Sequence, residues 1–274
     1  MIDSSIAVIT GGARGIGRQL ASDLIARGYH VVIGDLDLAA TEATAAELGA
    51  SAIAVQLDVT DASAVAAVID HVESTIGPIA IWINNAGIMP TGAFEAQSAD
   101  VAQRIIAINY ASVVSATGLI LPRMLARGSG RIINMASATG LKPLAGVAVY
   151  SGTKAAVIAF SDALRRELRK TGVRVTVVMP NLVTTAMGAG ITPPGLTGAV
   201  TANDVSNAVM EAIARDRFWV VVPRRLGPLL RVSKLLPFRT QDAIDDRAGS
   251  DNIGLGGDPA ARAAYASDVL GKGR

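Results

Sequence analysis

Two rhythms of apolar and polar positions alternate along the chain. Short, almost uninterrupted apolar runs at 6–10, 31–33, 52–57, 79–83, 132–135, 173–178 and 218–222 read as buried strands. Between them lie stretches of helical period. Ile16, Leu20 and Leu24 fall at i, i+4 and i+8, with Ala21 and Ile25 beside them, and predict a helix that Gly28 ends. Further helices are predicted over 38–48, stopped by Gly49, over 63–76, stopped by Gly77-Pro78, over about 100–126, and over 149–170 before Gly172. Thr201-Ala-Asn-Asp204 is a capping box opening a helix to Arg215. Strands apolar at every position are covered on both faces. With the βαβ alternation this predicts an α/β, doubly wound parallel sheet, with ligands at the carboxyl ends of its strands. No linker is visible, so one domain is expected over 1–274, with a core at about 5–222 and an extension, 223–274, serving as pocket lid or subunit contact.

Composition narrows the function classes. Half of the 274 residues are hydrophobic and 18% are charged, which excludes a disordered chain. Lys plus Arg is 25 and Asp plus Glu is 23, a net charge of +2, so no nucleic-acid partner is expected. Cysteine is absent and histidine occurs only at His30 and His71, which leaves no thiolate nucleophile and no metal site to expect. The N-terminus lacks the basic region of a signal peptide, and no run reaches the roughly 18 apolar residues of a membrane span. A cytoplasmic protein is the expectation.

Thr10-Gly-Gly-Ala-Arg-Gly-Ile-Gly17 lies between the first strand and the first helix. Gly11, Gly15 and Gly17 allow a tight turn and close backbone approach, while the helix N-terminus at Ile16 offers free N–H groups to a pyrophosphate. Asp35 ends the second strand, where a carboxylate accepts from the ribose hydroxyls of NAD and repels the 2′-phosphate of NADP. NAD is therefore the expected cofactor and NADP(H) the alternative. Arg14 argues weakly for the phosphate, unless it is solvated or pairs with Asp35. Asp58 and Val59, after the third strand, border the adenine, or Asp58 caps a helix.

Tyr150-Ser-Gly-Thr-Lys154 sets a phenol and an amine four residues apart, on one face of a helix. An ammonium beside a phenol lowers its pKa from about 10 and makes the pair a proton-transfer device. Ser137 stands 13 residues upstream, past the fifth strand. Asn84-Asn85-Ala86-Gly87 follows the fourth strand, and Asn109 sits in a mostly apolar helix, where an unpaired amide is costly.

With these elements in this order, the chain resembles the short-chain dehydrogenase/reductase family over about residues 5–222. The resemblance implies a seven-stranded sheet in the order 3-2-1-4-5-6-7, NAD(P) as hydride carrier and no metal. It implies that Tyr150 is the general acid/base, that Lys154 tunes it and binds the nicotinamide ribose, that Ser137 orients the substrate oxygen, and that Asn109 holds a relay water. Asn85, Ala86 and Gly87 would line the adenosine-side ribose. Pro180 to Thr185 would meet the nicotinamide, through the backbone of Val183 and the hydroxyl of Thr185. Asn181 departs from the glycine usual after that proline, and asparagine tolerates positive φ better than most residues.

Residues 182–202 contain no charge, as a lid over an apolar substrate would. From Arg215 to Arg239 seven bases face one acid, Asp216, among Leu226, Leu229, Leu230, Leu235 and Leu236. That segment reads as an amphipathic helix over the pocket or a neighbouring subunit, or as a membrane-surface contact through 224–240. Gly249 to Gly257 reads as flexible, and Asp258-Pro259 as the start of a helix ending at Gly271. The tail reaches a partner subunit or is disordered. The expected function is hydride transfer between NAD(H) and a hydrophobic secondary alcohol or ketone of steroid, terpenoid or lipid type, in a homodimer or homotetramer. The alternatives are an NADP(H)-dependent carbonyl reductase and a non-catalytic dinucleotide sensor.

Overall fold

The computed structural model describes residues 5–193, 198–233 and 235–271. Its centre is one parallel sheet of seven strands in the order β3-β2-β1-β4-β5-β6-β7. The strands are β1 (Ile6–Thr10), β2 (His30–Asp35), β3 (Ala52–Gln56), β4 (Ile79–Asn84), β5 (Gly130–Met135), β6 (Val173–Pro180) and β7 (Trp219–Val222). The sequence order reverses beside β1, so the carboxyl ends of β1 and β4 diverge there and leave a crevice.

All five residues of β1 are buried, and they divide between two cores. Ala7 and Ile9 pack with Leu20 and Leu24 of α1 (Gly15–Ile25) and Val205 and Val209 of α7 (Ala202–Ala214). Ile6 and Val8 pack on the other face with Val65 and Ile69 of α3 (Ala62–Thr75), Trp82 and Ile120. This double cover is why the strands show no alternation.

Helix starts follow local chemistry. Asp37 caps α2 (Leu38–Leu48) by accepting from Ala40 N at 3.1 Å. Asp61 accepts from Ser63 N and Ala64 N, which starts α3 one residue earlier than the pattern suggests. The capping box at Thr201 and Asp204 is present.

The helix expected over 100–126 is α4 (Ala99–Ile106), a single π-helical turn (Ala107–Ala111) and α5 (Ser112–Ala126). By length and composition Ala99–Ala126 could cross a membrane, yet Ile105, Ala116, Ile120 and Met124 are buried against the fold. After it come α6 (Ala148–Glu167) and, beyond β7, α8 (Leu226–Ser233), α9 (Phe238–Ala248), α10 (Asn252–Leu255) and α11 (Pro259–Gly271).

Flexibility at 249–257 and disorder of the tail are corrected. The 249–257 stretch is not a loose connector: it contains α10, whose Ile253 is buried and whose Gly254 meets Gly146 so closely that a Cβ on Gly146 would lie 2.3 Å from the Gly254 carbonyl carbon. The tail folds back on its own chain. Tyr265 of α11 accepts a hydrogen bond from Met89 N at 3.1 Å, and Arg262 is buried. Both departures come from contacts with distant segments that local composition does not reveal, apolar at Ile253 and hydrogen-bonded at Arg262 and Tyr265. The basic segment does not cover the pocket either; α8 packs Leu226 and Leu230 beside β7. Lys234 and residues 194–197 of the charge-free stretch lie outside the described residues.

Candidate active site

The loop after β1 is shaped by contact rather than by sequence pattern alone. A Cβ on Gly17 would lie 2.3 Å from Gly11 O and 2.8 Å from Asn85 Nδ2, so only glycine lets α1 begin against the loop. Asn85 closes that loop from the β4 side by donating to Thr10 O at 3.0 Å and Gly11 O at 2.8 Å. Thr10 Oγ1 in turn accepts from Asn85 N and Ala86 N, each at 3.1 Å. The switch point is thus tied by part-buried hydrogen bonds between the ends of β1 and β4.

At the tip of β2, Asp35 accepts from Ala13 N at 3.2 Å and from Asp37 N at 3.4 Å, and its carboxylate borders the cavity. Arg14 turns elsewhere than toward Asp35. It pairs with Asp37 at 3.1 Å and with Asp268 of α11 at 3.5 Å. Asp58 accepts from the amide and hydroxyl of Thr60 at 2.8 and 2.7 Å, while the cap of α3 is Asp61. Asp58 and Val59 line the cavity beside Asp35.

At the other end, Ser137 follows β5 and the first turns of α6 present Tyr150 and Lys154. Their exposures are 8%, 6% and 5%. Lys154 Nζ donates to Met135 O at 2.8 Å and stands 5.7 Å from the centre of the Tyr150 ring. Burial pushes the phenol up to about 12, helped slightly by Tyr265 and opposed by the Ser137 hydroxyl. Burial also pushes Lys154 down to about 8. Burial is the leading cause of both shifts. Removing each group from water favours its neutral form.

Asn109 is fully buried in the π-turn. Its side chain pairs with Ile88 in both directions, donating to the carbonyl at 2.8 Å and accepting from the amide at 2.8 Å. Gly87 lies against this group: a Cβ there would be 3.2 Å from Asn109 Oδ1 and 3.5 Å from Lys154 Nζ. Asn181 carries no left-handed strain, since Asp216 is the one non-glycine at positive φ among the described residues. Its amide donates to Val222 O at 2.7 Å and its side chain to Gly198 O at 2.9 Å. The turn after Pro180 therefore never needed glycine's freedom.

One cavity of about 690 Å³ joins the two ends, within the roughly 300–1,000 Å³ of small-molecule and cofactor sites. Gly11, Arg14, Gly15, Ile16, Asp35, Asp58, Val59, Asn85, Ala86, Gly87, Ser137, Tyr150, Lys154, Pro180, Val183 and Thr185 all line it. Gly17 and Asn109 do not, and act from behind the wall. Sequence reasoning missed Leu36, Asp37, Thr60, Arg104, Tyr265, Asp268 and Val269 in the lining. The last three arrive on α11, over 100 residues beyond Tyr150, with no motif to announce them.

The short-chain dehydrogenase family profile matches residues 5–194. The chain belongs to this family. Ketoacyl reductase HetN of Nostoc sp. is 37% identical over 221 residues, 78% of this chain and 77% of the relative. 1-Deoxy-11-beta-hydroxypentalenate dehydrogenase of Streptomyces exfoliatus is 36% identical over 229 residues, 80% of this chain and 83% of the relative. Among solved structures, a short-chain dehydrogenase/reductase of Burkholderia phymatum in complex with NAD aligns with a TM-score of 0.78 at 26% identity, covering 85% of this chain and 93% of that one. One of Sphingobium yanoikuyae in complex with NADPH aligns with a TM-score of 0.73 at 28% identity, covering 90% and 94%. As a short-chain dehydrogenase, the protein is an oxidoreductase with a Rossmann-type nucleotide-binding sheet.

Proposed function

We propose that the protein transfers hydride between NAD(H) and a hydrophobic secondary alcohol or ketone of steroid, terpenoid or lipid type. The observation that carries this reading is the single cavity with Asp35 at one end and Ser137, Tyr150 and Lys154 at the other. The glycine loop, closed so tightly that a Cβ at Gly17 would clash, fits a pyrophosphate laid against backbone amides. Asp35 favours NAD, because its fixed carboxylate would meet a 2′-phosphate as a like charge, and the cation of the loop, Arg14, is engaged by Asp37 and Asp268.

A bound nicotinamide supplies or accepts the hydride. Ser137 Oγ donates to the substrate oxygen and fixes its position. Tyr150 gives its phenolic proton to that oxygen in reduction and, as the phenolate, takes it back in oxidation. Lys154, anchored on Met135 O, would offer its remaining donors to the ribose of a bound nucleotide. Asn109 and Gly87 hold the wall behind the ammonium. Ile88, Met89, Leu144, Val147, Leu182, Met187, Ile253 and Val269 line the substrate end and support an apolar substrate. Ile106, Val114 and Leu125 are left partly exposed along α4–α5, a face suited to a homodimer or homotetramer.

Tyr150→Phe tests the assignment. Turnover over a panel of alcohols and ketones, read at the nicotinamide absorbance, is expected to fall by roughly 10²–10⁴-fold with NADH affinity unchanged. Retained turnover would remove the phenol from the reaction. NADPH binding tighter than NADH would overturn the reading of Asp35, and NADH binding without turnover on any panel member would leave a dinucleotide sensor.

A further inference from the structure

Outside the cavity, the most unusual surface is the outer side of α8 and the chain leading into α9. Leu226 and Leu230, one turn apart, are buried beside β7. Leu229 and Val232 point away from that contact, 57% and 58% exposed, and Leu235 and Phe238 follow at 84% and 82%. These are four of the five most exposed large hydrophobic side chains among the described residues. They fall within ten residues of chain, whereas the other exposed apolar side chains are dispersed.

The same stretch is basic. Residues 224–240 contain Arg224, Arg225, Arg231, Lys234 and Arg239 and no acid. Arg224 is paired with Glu211, and Arg231 lies 6.0 Å from the centre of the Trp219 ring. Among the described residues, the exposed Arg225 and Arg239 meet no carboxylate. A second copy docking here through a two-fold axis would set this basic stretch on itself. Of the acids that follow on α9, Asp245 is already held by Lys142 at 2.7 Å. Exposed apolar side chains in one basic stretch of chain with Arg225 and Arg239, which meet no carboxylate among the described residues, are matched on both counts by a bilayer, with phosphates at the headgroups and an acyl boundary beneath.

We propose that this face docks on an anionic lipid bilayer, with Leu229, Val232, Leu235 and Phe238 entering the acyl boundary and Arg225, Arg231 and Arg239 among the headgroup phosphates. None of residues 224–240 lines the cavity, so the inference stands apart from the proposed reaction. The two surfaces are nonetheless neighbours. Leu141 packs with Leu230 at the end of the short turn whose other residues, Ser137 to Thr139, line the cavity. A docked molecule therefore holds its catalytic loop close to the membrane surface, where apolar molecules collect.

Co-sedimentation of the full chain with vesicles of phosphatidylcholine, with and without phosphatidylglycerol, tests this. Binding is expected to the anionic vesicles only and to weaken with salt. Arg225→Gln with Arg239→Gln should weaken it by about fivefold per base removed, and Leu235→Asp with Phe238→Asp should abolish it. All four residues are exposed, so unchanged melting temperature and NADH affinity certify the fold of each variant. Equal binding to neutral vesicles, no binding at all, or binding indifferent to the variants would overturn the proposal. So would a drop in solution mass for Leu235→Asp with Phe238→Asp, which would make this face a contact between copies of the chain.

Discussion

Lys154 is an amine in a dry place: 5% exposed, bonded to Met135 O, and facing a phenol rather than a carboxylate. Its folded value of about 8 lies below the ordinary 10.5. The unfolded chain therefore binds more protons between those values, and stability gained from this group rises with pH across that window. Below about pH 8 the buried charge costs stability in full; above about 10.5 the cost is gone. Relative to Lys154→Met, wild type should be destabilised at pH 7 and recover as pH approaches 10, measured by denaturant melts of both proteins. A constant difference would show that the amine titrates as if solvated. Asp35 offers a second test at this scale. Asp35→Asn keeps an acceptor for Ala13 N but removes the charge, so the NADPH-to-NADH affinity ratio should rise roughly tenfold or more, about 1.4 kcal/mol, in paired titrations. The Tyr-Lys spacing was readable in the sequence and so was Ser137. The direction of the phenol's shift was not, because desolvation depends on what the rest of the chain packs around it.

At the scale of elements, two departures from regular periodicity shape the cavity. The π-turn at Ala107–Ala111 accommodates Asn109, whose side-chain amide pairs with the backbone of Ile88. A sequence pattern shows an apolar helix with one asparagine in it; the extra residue in the turn and the pairing with Ile88 are visible only in the tertiary structure. The second departure is α11. Arg262 stacks on Tyr265 at 4.8 Å and donates to Thr91 Oγ1 and to the carbonyls of Met89, Met187 and Ala189. One guanidinium thus joins the terminal helix, the chain after β4 and the loop after β6. Arg262→Met should leave those carbonyls unpaired and cost about 1–3 kcal/mol. Hydrogen exchange should quicken at 187–189 and in α11 while β1 and β4 stay protected. Equal acceleration throughout the sheet would mean that Arg262 supports the whole fold rather than the roof.

For the molecule as a whole, the sheet and the extension differ in how they are held. The inner strands are covered on both faces, whereas α9 buries no residue and α8 buries two, so the extension should open at lower free energy than the sheet. Nucleotide binding should couple them, since Arg14 of the glycine loop reaches Asp268 of α11. NADH at about a hundred times its Kd should stabilise the protein by roughly 2.7 kcal/mol and raise Tm by roughly 5–10 °C. Protection should increase in α11 as well as in the glycine loop. A rise in Tm with α11 unchanged would show that the roof does not sense the nucleotide.

The order of strands and helices, the glycine loop, Asp35 and the Ser137, Tyr150 and Lys154 set are legible in one dimension, because each is a local pattern or a fixed spacing on one element. What needed the tertiary structure was everything decided by distant neighbours. Arg14 faces Asp37 and Asp268 rather than Asp35, Asn181 sits without strain, and Tyr265 and Asp268 close the cavity from the far end of the chain. Periodicity reports which face of an element is buried; it does not report what buries it, and burial is what sets the ionisation of Tyr150 and Lys154 and leaves the outer face of α8 uncovered.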